Sequence, residues 1–521
     1  MQTCLTEKKT NLVNTNILKR DFINWNPFFH SMKRSLVILF ILFGLHAQAH
    51  FDWNTNCQQA YAEIIHLKFR HGKDLIEQEK IENPQNKLPF LLENYIDFLT
   101  IQIGEEEKDF KRMVEYKDNR LDELESGDEN SPWFLYSQAE IHLQWAANRL
   151  KFEEYISAAY EINKAYRLLT KNQKLYPDFI PNLKSLGILH ALIGSVPDNY
   201  SWALSVIGMK GSIAQGMSEM QTLIDTAKKN EQYAFLLDET YFMYSFLKMN
   251  LQNDTEGLQR ILNDIKKSDN LLLNFAACRI ASKLGQNDLA IQILENKKHS
   301  NAHYPFWYLE YLLGVYKQNK MDGSAVLHFK NYVKSFKGQN YIKAAYMRIS
   351  WHYLLKGDID NFKLAQANIY HYGGTLVDAD KEAQKAFEKR MQPQPYLLKA
   401  RLLFDGGYYQ KALKSMKKID NPMLFSNGKH IVEYFYRKGR IYDEMKEVSL
   451  AQENYQKTIN LGRNATYYFA AKSALQMGLI YEKAQDKSKA ISYFEECISL
   501  EDHEYEQSLE QKAKAGINRL Q

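Results

Sequence analysis

The chain has 521 residues, 45% of them hydrophobic and 25% charged, with 34 Tyr, 27 Phe and 7 Trp against 11 Pro and 24 Gly. That length suits two or three globular domains or one extended repeat array, and the aromatic-rich, Pro-poor balance favours many packed helices over long coils. The formal charge of +5 comes mostly from residues 1–49, with six Lys/Arg and two acids. The remaining 61 bases and 60 acids nearly cancel, so charge gives no support to a nucleic-acid-binding role.

The first predicted element is a leader that starts inside the chain. From Met32 the sequence runs MKRSLVILFILFGLHAQA: Lys33 and Arg34, an apolar run from Leu36 to Leu45, then Ala47-Gln48-Ala49 as an A-x-A site. This is the layout of a secretory signal peptide, with Met32 as the true start, cleavage after Ala49 and His50 as the first mature residue. A run of about 10 residues is half of what a spanning helix needs, so an uncleaved anchor is the alternative reading. No cysteine follows the cleavage site, so a lipoprotein anchor is not indicated. The expected location is the periplasm, or the periplasmic face of the outer membrane of a Gram-negative bacterium, with membrane association at most peripheral. Cys57, Cys278 and Cys497 are more than 200 residues apart and form no CxxC. They read as small buried side chains, with pairing of two of them in an oxidising compartment left open.

Residues 50–130 read as an N-terminal helical region, amphipathic in QQAYAEIIHLKFRHGKDLI and LPFLLENYIDFLTIQIGEEEKDFKRMVEY. ELESGDENSP, residues 123–132, is the best candidate break. A second helical segment follows over 131–230, and inside it lies GILHALIGSVPDNYSWALSVIGMKG, residues 187–211, with four glycines and almost no charge. It matches neither GxxxxGK[ST] nor GxGxxG, so it is no phosphate loop. Its two arms, about 11 and 10 residues, are each too short to cross a bilayer, which leaves a shallow membrane-touching hairpin as the minor alternative. The spacing favours packing. Gly187, Ala191 and Gly194 share one helix face, Pro197-Asp198 turns the chain, Gly208 and Gly211 end the second arm, and Ser212 caps the next helix.

The segment YPDFIPNLKSLGILHALIGSVPDNYSWALSVIGMKGSIAQGM resembles the central part of a tetratricopeptide repeat (TPR) family known from outer-mitochondrial-membrane and cytosolic proteins, including inclusion-body clearance proteins. The matching positions are Gly187, Gly194, Pro197, Gly208, Gly211 and Gly216. FKGQNYIKAAYMRISWHYLLKGD is similar to bacterial members of that family, which are exported. The resemblance implies an all-helical scaffold with no known chemistry. The leader departs from the organelle-associated members and puts their roles in doubt here.

Residues 231–521 read as a TPR-like repeat array. LNFAACRIASKLGQNDLAIQIL sets Cys278, Ala281, Ala290 and Leu294 at the four anchor positions of a helix pair. Two pairs with looser spacing follow, in FWYLEYLLGVYKQNKMDGSAVLHFKNYVKSF and YIKAAYMRISWHYLLKGDIDNFKLAQANI. Three stricter ones come next: Ala400, Leu403, Ala412 and Met416; Gly439, Tyr442, Ala451 and Tyr455; Gly478, Tyr481, Ala490 and Phe494. Their first anchors, 400, 439 and 478, recur every 39 residues. A small residue lets the second helix approach, and an aromatic fills the adjoining hole. If Tyr442 is as buried as the pattern implies, Tyr442→Ala costs about 3 to 5 kcal/mol.

The expected fold is therefore all-α, a right-handed α-solenoid of TPR-like helix-turn-helix repeats with a divergent helical N-terminal part. No complete catalytic motif occurs. His299 and His303 lie in a loop without a third ligand, and the SxxK matches at Ser245-Lys248 and Ser415-Lys418, with SDN at Ser268-Asp269-Asn270, lack a KTG. No catalytic residue, cofactor or metal is expected. The expected function is a non-catalytic scaffold that takes a protein or peptide in its concave groove, with Arg401, Tyr436, Arg440, Asp443 and Glu482 as candidate groove residues. The alternatives are a glycan- or nutrient-binding envelope protein and a helical enzyme without a recognisable motif.

Overall fold

The computed structural model describes residues 49–196 and 208–521; the leader, Pro197 and the second arm of the glycine-rich stretch lie outside them. Residues 49–521 form one compact unit. The fold is all-α: among the described residues every regular element is a helix, and the sole β-type pairing is an isolated bridge between His50 and Asn86.

From Leu271 onward the chain is a stack of antiparallel helix pairs, each packed on its own partner and on the next pair: Leu271–Lys283 with Asn287–Glu295, Tyr308–Asn319 with Ala325–Ser335, Ile342–Lys356 with Ile359–His371, Pro395–Asp405 with Tyr409–Met416, Gly428–Glu444 with Val448–Gly462, and Phe469–Lys483 with Lys487–Ser499. A last helix, Glu506–Leu520, covers the end. One turn geometry recurs. Gly285, Gly357, Gly407, Lys446 and Gln485 all have left-handed φ, between 62° and 77°, and in each case the second helix begins two residues later. The residue between is Asp in two of them: Asp358 and Asp486 accept from the backbone N–H of Asn361 and Lys489, satisfying donors that a helix start leaves open.

The anchors do what their spacing predicts. A Cβ on Gly439 would stand 2.6 Å from the Tyr455 ring, and one on Gly478 2.5 Å from the Phe494 ring, so only glycine lets those helices meet. The first of the looser pairs uses the same device, with a Cβ on Gly314 2.9 Å from the Phe329 ring, at a spacing of fifteen residues instead of sixteen. Tyr442 is only half-buried between two repeats, so truncating it costs less than the pattern implied.

The glycine-rich stretch is also a packing device in its described part. The helix Asn182–Ile193 lies against Ile213–Lys229, and the contact is backbone to backbone. A Cβ on Gly216 would fall 2.3 Å from the Gly187 carbonyl oxygen, one on Gly194 2.4 Å from the Ile213 nitrogen, and one on Gly211 2.6 Å from the His190 Cα. Gly208 is needed for its backbone instead, at φ +76° with open space around it. Ser212 caps the following helix, accepting from the Gln215 N–H at 3.1 Å.

The N-terminal region is built differently. One hydrophobic core runs from Cys57 to Ala365, passing without a gap across the turn at residues 126–131. Within it lies an ionic cluster. Lys184, 2% exposed at its side chain, donates to Glu140 (2.8 Å), Glu239 (2.7 Å) and the Tyr95 hydroxyl (2.7 Å), which uses up its three protons. Tyr95 donates on to Glu140 at 2.6 Å, and Tyr61 and Ser185 complete the set on Glu239 and Glu140. Burial works to discharge Lys184, but Glu140 and Glu239 outweigh it and hold the ammonium well above its usual range. Cys57, Cys278 and Cys497 are all buried and unpaired, and burial pushes the Cys278 thiol up to about 12.

Candidate partner-binding concavity

The helix Asp378–Glu388 interrupts the pairing, standing alone between two helix pairs. The repeats after it curve back towards it. Tyr505, in the turn before the last helix, donates to Glu382 at 2.8 Å, and Lys385 pairs with Glu504 at 3.0 Å. These bridges close a concavity of about 310 Å³ lined by the lone helix, the segment that follows it and first helices of the neighbouring repeats, with a smaller recess of about 160 Å³ sharing Arg401, Arg437 and Tyr468.

Three of the predicted groove residues meet here. Arg401 lines both recesses, and its guanidinium lies over the Trp351 ring at 5.2 Å. Tyr436, nearly buried, lines the smaller one and accepts from Arg440 at 3.2 Å. Arg440 lies over the Phe404 ring at 4.9 Å, and its Nε is buried without a hydrogen-bond partner. Asp443 and Glu482 lie outside both recesses. Asp443 accepts from Tyr455 at 3.1 Å within its own repeat, and Glu482 holds Arg519 of the last helix through two hydrogen bonds, 2.9 and 2.8 Å.

Sequence reasoning missed Trp351, Arg437 and Tyr468. Arg437 pairs with Glu433 one turn earlier, and Arg348 joins Arg401 over Trp351, at 5.0 Å. The available signal was the four-residue spacing of Glu433, Arg437 and the neighbouring Tyr436-Arg440, which puts them on one stripe of a first helix. Seven Lys/Arg line the two recesses against four acids. Lys472, close enough to feel Arg440, is pushed down to about 8, by burial first and by Arg440 second. The site is an under-neutralised cationic pocket with aromatic walls.

A wider recess of about 760 Å³ opens between the helices Phe69–Glu82, Leu88–Gly104 and Tyr116–Glu125, but its charges face each other, Arg120 on Asp97 at 2.7 Å and Lys80 on Glu93. His299 and His303 stack with ring centres 5.7 Å apart, and among the described residues no three His, Cys, Asp or Glu gather as a metal site. The Ser245 hydroxyl is spent on the Tyr241 carbonyl at 2.6 Å. No described helix is long and apolar enough to cross a membrane.

Stacked antiparallel helix pairs with small-residue anchors define a helical repeat protein of the tetratricopeptide type. Residues 471–503 match the Tetratricopeptide repeat family model, over the pair anchored by Gly478 and Phe494. Solved structures similar to this chain include an IFIT1 monomeric mutant with Gppp-AAAA, 14% identical, covering 88% of this chain and 94% of that one at a TM-score of 0.30. Another, an IFIT1 monomeric mutant with m7Gppp-AAAA, has the same identity and coverage at 0.29. No curated protein matches.

Proposed function

We propose that this protein is a non-catalytic scaffold that holds an acidic peptide segment of a protein partner in the concavity around Arg401, Arg437 and Arg440. The observation that carries this reading is the charge of the two recesses, where seven Lys/Arg stand against four acids and Arg401, Arg437 and Arg440 line adjoining walls. A carboxylate partner supplies the charge and the bidentate acceptors that guanidinium groups pair with best. The recesses suit side chains of an extended segment rather than a folded surface. Stacked sugar is the weaker alternative, because the face of Trp351 is already taken by Arg348 and Arg401.

Fluorescence anisotropy with a labelled deca-glutamate peptide tests the reading, with deca-lysine and a single-stranded oligonucleotide as controls. Glutamate peptide binds, weakens with salt, and loses about 10- to 100-fold on Arg440→Ala; Glu482→Gln leaves it unchanged. Equal binding of glutamate and lysine peptides, or preference for the oligonucleotide, would sink it.

We propose further that the protein acts after export, in the periplasm or on the periplasmic face of the outer membrane. Support comes from the layout of the Met32–Ala49 leader and from His50, the expected first mature residue, whose backbone pairs with Gln85 and Lys87. N-terminal sequencing of protein recovered from the envelope fraction should begin at His50; recovery of uncleaved chain from the cytosol overturns it.

A further inference from the structure

The helix Pro395–Asp405 carries Arg401 on the concavity and Lys399 two residues before it. Two positions along a helix stand about 200° apart. Lys399 accordingly lines a different recess, a cavity of about 300 Å³ bounded by the end of the helix Tyr308–Asn319, by Pro395–Asp405 and by Tyr409–Met416. Five lysines line it, Lys320, Lys399, Lys411, Lys414 and Lys418, and among the described residues no arginine or acid does. Residues 50–521 hold 61 bases and 60 acids, so a hollow ringed by five cations alone departs from a chain that is otherwise balanced.

Local structure accounts for part of the cluster. Lys320 caps the C-terminal end of Tyr308–Asn319 and Lys414 lies in the last turn of Tyr409–Met416, where the helix dipole favours a cation. Lys320 also pairs with Asp288 at 2.7 Å, which accepts from Tyr408 at 2.9 Å as well. The dipole does not explain the rest. Lys411 stands in the first turn of its helix, where the dipole opposes a cation, and its ammonium lies over the Tyr408 ring at 5.1 Å; Lys399 stands mid-helix. Lys399, Lys411, Lys414 and Lys418 are exposed, and none of them forms an ion pair with a described residue. Four unpaired ammonium groups around one hollow repel one another, and a multiply charged anion relieves that repulsion.

The donors are all ammonium groups, point charges on flexible stems that arrive from three elements, whereas the concavity offers the planar forks of Arg401, Arg437 and Arg440. Forks match the flat edge of a carboxylate, and ammonium groups from several directions match the tetrahedral oxygens of phosphate. We propose that this recess binds a compact anion carrying two or more phosphate groups, held by Lys399, Lys411, Lys414 and Lys418. The site is separate from the acidic-peptide reading and stands if that reading falls.

Isothermal titration of the full chain with inorganic pyrophosphate is the test, with orthophosphate, sulfate and citrate as comparisons and phosphatidylglycerol vesicles as a separate arm. Pyrophosphate should bind at least about tenfold tighter than any of the three. Lys399→Gln combined with Lys414→Gln should weaken it about 10- to 100-fold, while Arg440→Ala leaves it unchanged. Both lysines are exposed, so their replacement disturbs no buried contact. Citrate binding as tightly as pyrophosphate, a loss on Arg440→Ala as large as on the lysine pair, or no binding of pyrophosphate, whether or not the vesicles capture the protein, would each overturn the proposal.

Discussion

The N-terminal region and the C-terminal repeats are made of the same helices but hold together by opposite means. From Pro395 onward, separate small clusters sit between neighbouring helices, one around Ala400 and Met416, another from Val432 to Ala513. Before that, one large core gathers residues as far apart as Cys57 and Ala365, with smaller clusters beside it around Ala165 and Trp351, and the buried charges of Glu140, Lys184 and Glu239 lie in this region. Nearest-neighbour packing tolerates local loss, because each interface stabilises only its own repeat. A shared core with buried ions does not, because removing one ion leaves the others uncompensated.

Lys184→Met is the sharpest way to break this contrast. It strands Glu140 and Glu239, 5% and 8% exposed, and should cost about 3 to 5 kcal/mol. Urea unfolding of the variant should show an early transition for the N-terminal region, and adding Glu239→Gln should return part of the loss. A change under about 1 kcal/mol would mean that the cluster is not structural. Acid tests the same ions. Burial pushes the Glu140 carboxyl up, but Lys184 and its hydrogen-bond donors outweigh it and hold it below its ordinary 4.5. The unfolded chain then takes up that proton first, so this stability is present above about pH 4.5 and is lost as pH falls. Glu140→Gln should flatten the acid limb.

Phe494→Ala should cost a comparable amount, about 3 to 5 kcal/mol, but locally. The ring is fully buried and fills the space that Gly478 and Gly516 leave. Its loss should open the terminal repeat alone, and alkylation reads this directly: burial holds the Cys497 thiol up at about 11, so it is inert until its repeat opens. Cys497 should then react while Cys57 and Cys278 stay protected. Simultaneous reaction of all three would show that the repeats unfold with the N-terminal core. Gly194→Leu comes next, at about 3 kcal/mol, because any side chain there meets the Ile213 backbone. A fully folded, stable variant would show that the close helix contact is not needed.

What the sequence made legible follows the same division. The repeats could be read because their contacts are short in sequence and recur: Gly439 meets Tyr455 and Gly478 meets Phe494 at one spacing. Turns were legible for the same reason, with Asp358 and Asp486 in equivalent places. The N-terminal cluster was not, since Lys184 finds its partners 44, 55 and 89 positions away, at distances that no periodicity encodes. The concavity was half legible. Arg401, Tyr436 and Arg440 follow from the first-helix position, whereas Asp443 and Glu482 share that pattern but turn to Tyr455 and Arg519. Which side of a first helix faces the hollow depends on how the repeats curve, and the bridges from Glu382 and Lys385 to Tyr505 and Glu504 join residues more than a hundred positions apart.

Tyr442→Ala separates anchor from filler within one repeat. The tyrosine touches two repeat cores but is only half-buried, so about 1 to 2 kcal/mol is expected, against about 3 to 5 for the fully buried Tyr455. Equal losses in thermal unfolding would mean that the inter-repeat contact matters as much as the anchor.

The smallest effect has the opposite sign. Gln485 holds the left-handed turn at φ 62°, where Gly285, Gly357 and Gly407 do the same work in other repeats. A side chain there costs about 1 to 2 kcal/mol, and glycine gives back about 0.5 to 1 through the greater freedom of the unfolded chain. Gln485→Gly should therefore stabilise by a few tenths to about 1 kcal/mol. Because the gain sits at one turn of the terminal pair, it should slow Cys497 alkylation and leave Cys278, five helix pairs away in the shared core, at its original rate. Protection gained equally at both cysteines would show that the terminal repeat and the N-terminal core open as one unit, and the contrast between the two regions would fail.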